Sequence, residues 1–324
     1  MIPKVIKCEI FNFLSFYYQH KFSLISKETF DFNITNLHNI DRKYKKNITD
    51  AVLIKYMNVT KLSCTHVVDF SFLTKLKILQ IRYHISTPIC RLTNLESLDI
   101  SNCRNIIDLN KLTNLKKLKA SCTELCDENI DKLNLEELDI SWCYKITNIN
   151  HMTNLKILNV SHNCQVDDHG VMNLNPTKLI AYNNNRITCI NHMTNLLELN
   201  IGGNKIGIDN IDNLNLKKLD ISDNFRIKKI NHMKNLEELN MQNTNLNNDD
   251  LLGLNLRKLY VSQITTVNLS KMSSIEYIGF NVFCVDSRGA LVLFNNNDKI
   301  KYWNLDNEDD DDNIWKYGMI EEVD

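Results

Sequence analysis

A leucine that recurs at a nearly constant spacing dominates this sequence. From Leu79 onward the marker leucines recur at a period of about 20 residues over most of the chain. The marker position holds Leu79, Leu98, Leu118, Leu138, Leu158, Leu179, Leu199, Leu219, Leu239, Leu259 and Ile278, and Leu62 precedes this series. A fixed period of this kind is the signature of a solenoid, in which each repeat is one coil that stacks on its neighbours. The chain is therefore expected to stack coils rather than to fold around one central core.

Each repeat follows the pattern L-x-x-L-x-L-x-x-N/C. In Leu95-x-x-Leu98-x-Ile100 the alternation predicts a short strand with one face inward. The fifth residue after the marker can bond backbone groups where the chain leaves the strand. This position holds Cys103, Thr123, Cys143, Asn163, Asn184, Asn204, Asn224 and Thr244. The pattern resembles the leucine-rich-repeat family, which implies an α/β solenoid, here an arc of about 11–12 coils with a parallel concave sheet.

The repeat also has a second, longer period, which is twice the first. Coils that begin at Leu138, Leu179 and Leu219 continue as ITNINHM, ITCINHM and IKKINHM, which contain no helix start. The intervening coils continue as DENIDKL, DDHGVMNL, IDNIDNL and DDLLGL, in which an Asp can cap a single helical turn. We therefore expect the backs of the coils to alternate between extended segments and brief helices.

Charge and composition argue against several classes of protein. A net charge of −1 provides no basic excess to neutralise phosphates, so we expect no nucleic-acid partner. No apolar run is long enough to span a bilayer, so we expect no membrane span. The start MIPKVIKCEI does not read as a signal peptide, and the ten cysteines are scattered singly, as the reduced thiols of an intracellular protein are. The expected location is the cytoplasm or nucleus, of a host cell if the protein is viral.

The sequence contains no pattern that predicts catalysis, a metal or a cofactor. No P-loop, nucleophile elbow or HExxH motif occurs. His151, His192 and His232 recur in Asn-His-Met triplets two coils apart, which is roughly 9–10 Å at one strand spacing per coil. Ligands of one zinc ion each lie about 2 Å from it, so these histidines cannot share an ion. We interpret them as polar residues at a corner of the coil.

The exposed side of the strands carries the candidate binding residues. Just before the markers stand alternating charges, as in Lys178, Glu198 and Lys218, which favour register and solubility more than recognition. Exposed Trp and Tyr are enriched at binding hot spots, although such rings can also merely cover neighbouring apolar atoms. The candidate partner-binding residues on the concave face are Trp142, His162, Ile180, Tyr182 and Tyr260.

The N-terminal segment IPKVIKCEIFNFLSFYYQHKFSLISKETF resembles an F-box, most specifically in its ending SLISK. Val5 departs from the family pattern, which usually has an acidic residue there. The resemblance implies docking on the Skp-type adaptor of a cullin ubiquitin ligase, with the repeats holding a protein target. The implied adaptor-binding residues are Ile2, Pro3, Ile6, Ile10, Leu14, Leu24 and Ile25. Pro3 at the start of an amphipathic helix would equally suit a simple capping helix.

Two functions therefore remain open for a non-catalytic chain. One is an F-box substrate receptor, and the other is a repeat scaffold or regulatory subunit whose N-terminus is only a cap. The predicted organisation is an F-box-like helical segment and linker at residues 1–50 and leucine-rich repeats at 51–290. A C-terminal cap with an acidic tail, which contains DNEDDDDN, follows at 291–324.

Overall fold

The computed structural model describes residues 36–37, 58–64, 71–82, 89–103, 108–204, 211–262, 274–280 and 301–304. The chain divides into two compact units, residues 1–135 and 136–324. The boundary between the units lies inside the predicted repeat region. The boundaries predicted near residues 50 and 290, the F-box-like segment and the acidic tail lie outside the described residues.

Both units are built from short parallel strands. The strands of the first unit are β1 (Asn36–Leu37), β2 (Lys61–Cys64), β3 (Ile78–Ile81), β4 (Ser97–Asp99) and β5 (Lys117–Lys119). Those of the second unit are β6 (Glu137–Asp139), β7 (Ile157–Asn159), β8 (Lys178–Ile180), β9 (Glu198–Asn200), β10 (Lys218–Asp220), β11 (Glu238–Asn240), β12 (Lys258–Val261), β13 (Tyr277–Phe280) and β14 (Lys301–Asn304). Within each unit every strand pairs in parallel with the next strand in the chain. The predicted parallel-sheet solenoid is confirmed.

The marker leucines set the register of this pairing. Leu158 lies opposite Leu138 and Leu179, and the same match of marker to marker recurs from Leu62 to Leu118 and from Leu138 to Ile278. Nine described strands, β4 to β12, keep the regular repeat interval. The regular part therefore has about nine coils, fewer than the 11–12 predicted. The outlying strands β2, β3 and β13 carry markers that are spaced more closely than this interval.

The marker position and the position two residues later form the core. The residues predicted to be buried there are each at most 1% exposed, which confirms the prediction: Leu98, Ile100, Leu118, Leu138, Ile140, Leu158, Val160, Leu199 and Ile201. Further along each coil Leu155, Met152 and their equivalents close the interior from the other side. A single coil buries these side chains only because another coil covers it, so neighbouring coils stabilise each other.

A buried asparagine follows three strands of the middle coils, at Asn184, Asn204 and Asn224, and two of the three make the predicted hydrogen bonds, whereas the side chain of Asn204 has no partner among the described residues. The Nδ2 of Asn184 donates to the carbonyl of Val160 at 2.9 Å, and its Oδ1 accepts from the amide of Arg186 at 2.9 Å. Asn224 bonds Ile201 and Arg226 in the same way. These bonds satisfy backbone groups that the turn leaves without strand partners.

The assignment of Asn163 to this buried position was wrong. Asn163 is exposed, whereas Cys164 is only 1% exposed and fills the equivalent place. The interval from Leu158 to Leu179 is one residue longer than the intervals on either side of it. His162 and Asn163 are both left-handed, with φ of 54° and 53°. The extra residue therefore enters at the turn and shifts the buried position by one.

Short helical turns occur on alternate coils, which confirms the predicted longer period where the coil backs are described. The turns are 3₁₀ turns at Ile89–Arg91 and Asp127–Asn129, the helix α1 at Asp168–Val171 and a 3₁₀ turn at Asn248–Leu251. Asp167 caps α1 by accepting from the amide of Gly170. The last turn is capped by Asn247 rather than by an Asp, because the side chain before its first residue is the one within reach of the free amides.

The predicted ladder of alternating charges forms in the second unit. Lys178 lies 3.1 Å from Glu198, Lys218 lies 3.9 Å from Glu198 and 3.6 Å from Glu238, and Lys258 lies 3.5 Å from Glu238. These pairs are partly exposed, so each contributes a few tenths of a kcal/mol. Lysine and glutamate alternate from one strand to the next. A strand that paired with the strand two coils away, instead of with its neighbour, would therefore place like charges opposite each other, which is unfavourable.

A hydrogen bond between a polar side chain and the backbone, here called the bracket, closes the end of six described strands. The residue after the marker is often Asp or Asn, and its Oδ1 accepts from the backbone amide two residues later. Where that later residue is Ser161 or Ser222, the hydroxyl donates to the same oxygen at 2.7 or 2.8 Å. The bracket thus pins the backbone as it leaves the sheet.

Asp220 is the bracket residue of β10 and is 2% exposed. Burial raises the pKa of its carboxyl from 3.8 to about 6, although hydrogen bonds from Ser222 and Asn240 oppose this rise. Because the folded-state pKa lies above the unfolded value, folding favours the protonated form. The stabilisation of the folded state by the neutral Asp220 carboxyl is therefore complete below about pH 3.8. It is lost as the pH rises through about 6, where the buried carboxyl ionises.

Leu158→Ala is expected to lower the free energy of unfolding by about 2–5 kcal/mol, because it opens a cavity between two packed coils. Chemical denaturation followed by circular dichroism measures the change. Exposed Leu197→Ala is the control, since Leu197 retains 42% of its surface and leaves no cavity. Equal losses in the two variants would contradict the assignment of Leu158 to the core.

Asp220→Asn is expected to raise the free energy of unfolding by about 1–2 kcal/mol at pH 7.5, with no gain near pH 3.8. The amide oxygen can keep both bonds to Ser222, as Asn159 does with Ser161. The bond that Asp220 accepts from Asn200 is lost, which limits the gain. Denaturation of both proteins across this pH range gives the profile.

The control for charge is Asp223→Asn, which removes the same charge from a half-buried position. It should change stability by less than about 0.5 kcal/mol. A loss of stability in Asp220→Asn at pH 7.5 would show that the carboxylate is needed in its charged form.

Candidate functional site

In eight described coils the residue four positions after the marker is in the left-handed conformation. These residues are Asn102, Cys122, Trp142, His162, Asn183, Gly203, Asp223 and Asn243, with φ between 52° and 69°. Asn, Asp and Gly adopt this region readily, whereas bulky side chains do so at a cost of about 1 kcal/mol or more. Five of the eight coils use Asn, Asp or Gly. Trp142 and His162 are therefore unusual occupants of a position that the fold fills with small or polar residues.

Three aromatic side chains from successive coils contact one another at these turns. The rings of Trp142 and His162 stack with their centroids 4.7 Å apart and their planes at 13°. The ring of Tyr182 meets His162 edge-on, at 5.2 Å and 63°. We call these three residues the aromatic ladder. The coil register places the rings side by side, because successive coils repeat about every 4.8 Å.

The aromatic ladder is partly open to solvent. Trp142 retains 45% of its surface, and His162 and Tyr182 are half-buried. Burial lowers the pKa of His162, which favours its neutral form. Burial and the nearby carboxylates of Asp223 and Asp220 raise the pKa of Tyr182. At neutral pH the ladder is therefore an uncharged aromatic surface.

A glycine in the next coil makes room for the ring of Tyr182. A Cβ on Gly202 would lie 2.9 Å from Cδ2 of Tyr182 and 2.7 Å from Oγ of Ser222. These distances are shorter than packed atoms tolerate, so a side chain at residue 202 would displace the ring. Tyr182 itself stands one position earlier in its turn than Trp142 and His162 do, where other coils have serine.

The structure brings together three of the five residues predicted for partner binding. Ile180 follows the marker of β8 and is 5% exposed, so little of it is accessible to a partner. Tyr260 is half-buried in β12, four coils beyond Tyr182. Sequence reasoning missed Asp223 and Gln242 in the turns beyond the ladder. The recurrent left-handed position was the signal that could have located Asp223. The predicted adaptor-binding residues lie outside the described part of the chain.

Histidine and cysteine side chains elsewhere serve the fold. The ring Nε2 atoms of His192 and His232 lie 3.2 and 3.3 Å from the carbonyls of Val171 and Ile211 in the preceding coil. Burial raises the pKa of the Cys164 thiol to about 12, which leaves it unreactive at neutral pH. In the described ranges the cysteines form no disulfide, and no three His, Cys, Asp or Glu side chains are grouped as a metal site requires. No described helix has the length and apolar character needed to cross a bilayer.

Comparison with known proteins agrees with this architecture. A family model described as leucine-rich repeat matches residues 151–174 and 192–207. An internalin, InlF from Listeria monocytogenes, is 26% identical, with a TM-score of 0.54 over 71% of this chain and 76% of the internalin. The functional domain of InlJ from the same species, which includes a cysteine ladder, is 18% identical, with a TM-score of 0.50. That match covers 76% of this chain and 62% of InlJ.

The search of curated proteins finds no match. The similarity to InlJ concerns the fold alone. The repeat pattern and the parallel register make the chain a parallel-sheet solenoid, and the matched segments are similar to leucine-rich repeats.

Proposed function

We propose that this chain is a non-catalytic protein-interaction module and that the aromatic ladder is part of its binding surface. The observation that carries the proposal is Trp142, which is 45% exposed and stacked on His162 at a turn of the solenoid. Large, partly exposed aromatic rings held in place by neighbours are the usual anchors of protein interfaces.

The fold itself does not require these rings. Other coils fill the left-handed position with Asn, Asp or Gly, which adopt it without strain. A tryptophan there adds backbone strain, and its stacking on His162 returns about 0.5–1.5 kcal/mol. Because the strain and the stacking largely offset each other, the tryptophan adds little to stability, and its exposure favours a role in binding.

The more specific proposal is an F-box substrate receptor in the cytoplasm or nucleus, of a host cell if the protein is viral. Support comes from the sequence between Ile2 and Lys27, which resembles an F-box and ends in SLISK. In this proposal the N-terminal segment binds a Skp-type adaptor of a cullin ligase, and the repeats present a protein target. The competing proposal is a scaffold whose N-terminal helix only covers the first coil.

Trp142→Asn combined with Tyr182→Ser is expected to abolish partner capture while changing the free energy of unfolding by less than about 1 kcal/mol. Both replacements are residues that the chain itself uses at these turn positions, as in Asn102 and Ser222. Quantitative affinity purification from the source cell compares the proteins retained by wild type and variant. The control is Phe225→Ser, which removes a ring that is 56% exposed but lies outside the ladder. Equal capture by all three proteins would remove the ladder from the interface.

Replacing Pro3 by Ala and Ile10 by Glu is expected to abolish binding to the Skp adaptor and to leave the melting temperature unchanged. Anchors in such interfaces contribute about 2 kcal/mol or more each, so their joint loss is decisive. Pull-down with the purified adaptor and a thermal melt of each protein measure the two effects. A wild type that fails to bind the adaptor, together with a destabilised variant, would instead support the capping helix and the scaffold.

A further inference from the structure

The turns beyond the aromatic ladder carry acidic groups without basic ones. We define the strand-end surface as the residues one, three and four positions after the markers of β6 to β12. Its described members include the buried carboxylates of Asp139 and Asp220 and the half-buried carboxylate of Asp223, and they include no Lys or Arg. The lysines of the second unit's strands stand on the other side of the marker, where they pair with Glu198 and Glu238. The carboxylate of Asp223 is therefore the one acidic group of the described surface that is open enough for a partner to reach.

Asp223 is the carboxylate best placed to meet a ligand. It lies two coils beyond Tyr182, a separation of about 10 Å at one strand spacing per coil. It is half-buried, and its Oδ1 accepts from Nδ2 of Asn243 at 2.9 Å. No described residue donates to its Oδ2. The carboxylate is thus held in position by one bond and retains an oxygen for another donor.

Gln242 adds an unmet donor to the same surface. Its side chain is 8% exposed, and its Nε2 has no hydrogen-bond acceptor among the described residues. Gln242 occupies, three coils further on, the same turn position as Tyr182. A buried amide donor without an acceptor costs about 1–3 kcal/mol in a folded protein, so a bound molecule that supplied an acceptor to Gln242 would recover part of that cost.

We propose that the strand-end surface binds a basic, extended peptide segment of a partner protein. An Arg or Lys side chain of the segment lies against the aromatic ladder beside Tyr182 and pairs with Asp223, and Gln242 donates to a backbone carbonyl of the segment. The inference rests on the proposed function and adds the chemistry of the partner. From Trp142 to Gln242 the surface spans five coils, about 24 Å, which an extended chain of about seven residues covers.

The charges and the rings favour this partner over other kinds. An acidic segment would place carboxylates beside Asp223 with no cation between them. A purely apolar segment would remove water from Asp223 without replacing its bonds. A guanidinium satisfies both features, because it stacks on an aromatic face and donates to a carboxylate in the same plane. The carbonyl acceptor required by Gln242 is present in a peptide and absent from a simple polyamine.

The test is selection from a random dodecapeptide library displayed on phage, with the full-length protein as the target. Selection on the Trp142→Asn, Tyr182→Ser double variant identifies peptides that bind elsewhere. Among peptides specific to wild type, we expect Arg and Lys to be enriched at least threefold over the starting library. The strongest of these peptides is then synthesised for fluorescence anisotropy.

Asp223→Asn is expected to weaken binding of that peptide about tenfold or more, with a Kd that also rises with salt. The matched control is Asp212→Asn, which removes the same charge from an exposed position outside the strand-end surface and should leave the Kd within twofold. Peptides that bind wild type but not the double variant are specific to the aromatic ladder. If these ladder-specific peptides are not enriched in Arg or Lys, or if Asp223→Asn leaves the Kd unchanged, the proposal of a basic partner is wrong, and the proposal that the ladder is part of a binding surface stands. Recovery of no ladder-specific peptide would overturn both proposals.

Discussion

The parallel register of the marker leucines is the constraint on which the rest of this molecule depends. When Leu158 lies between Leu138 and Leu179, the strand residues on either side of it are also aligned with their equivalents. Side chains then form columns across the strands, and each column can be occupied according to a different physical requirement. The buried column requires apolar volume, the turn column requires a residue tolerant of positive φ, and the column before the marker tolerates charges of alternating sign.

This separation of requirements explains how a repetitive chain acquires a local site. A substitution in the buried column disturbs two neighbouring coils, whereas a substitution in the turn column changes only the surface. Trp142 and His162 occupy the turn column, where the fold specifies a backbone conformation but not a side chain. The adjacent glycine at 202 leaves space for Tyr182. A contiguous aromatic surface therefore arises from three substitutions that leave the register unchanged.

Much of the architecture could be predicted from the sequence, because the repeat period determines both the strands and their alignment. The core position of Leu158 and the adjacency of Trp142, His162 and Tyr182 follow from that period. What the period could not reveal is a departure from it, such as the residue inserted near Asn163, whose location within the longer coil depends on turn geometry. Ile180 was misleading because a residue beside a marker can be covered by neighbouring side chains. The unmet donor of Gln242 becomes visible only when the contacts of that atom are known.

Deletion of whole coils tests the register most directly. Removing residues 200–239, a two-coil deletion, joins Leu199 to Asn240 and preserves both the register and the alternation of coil backs, whereas removing residues 200–219, a one-coil deletion, preserves the register alone. Equilibrium denaturation of the two proteins compares their free energies of unfolding. The register account predicts that both deletions fold and that the two-coil deletion unfolds cooperatively with the higher stability per remaining coil. An unfolded two-coil deletion beside a stably folded one-coil deletion would contradict it.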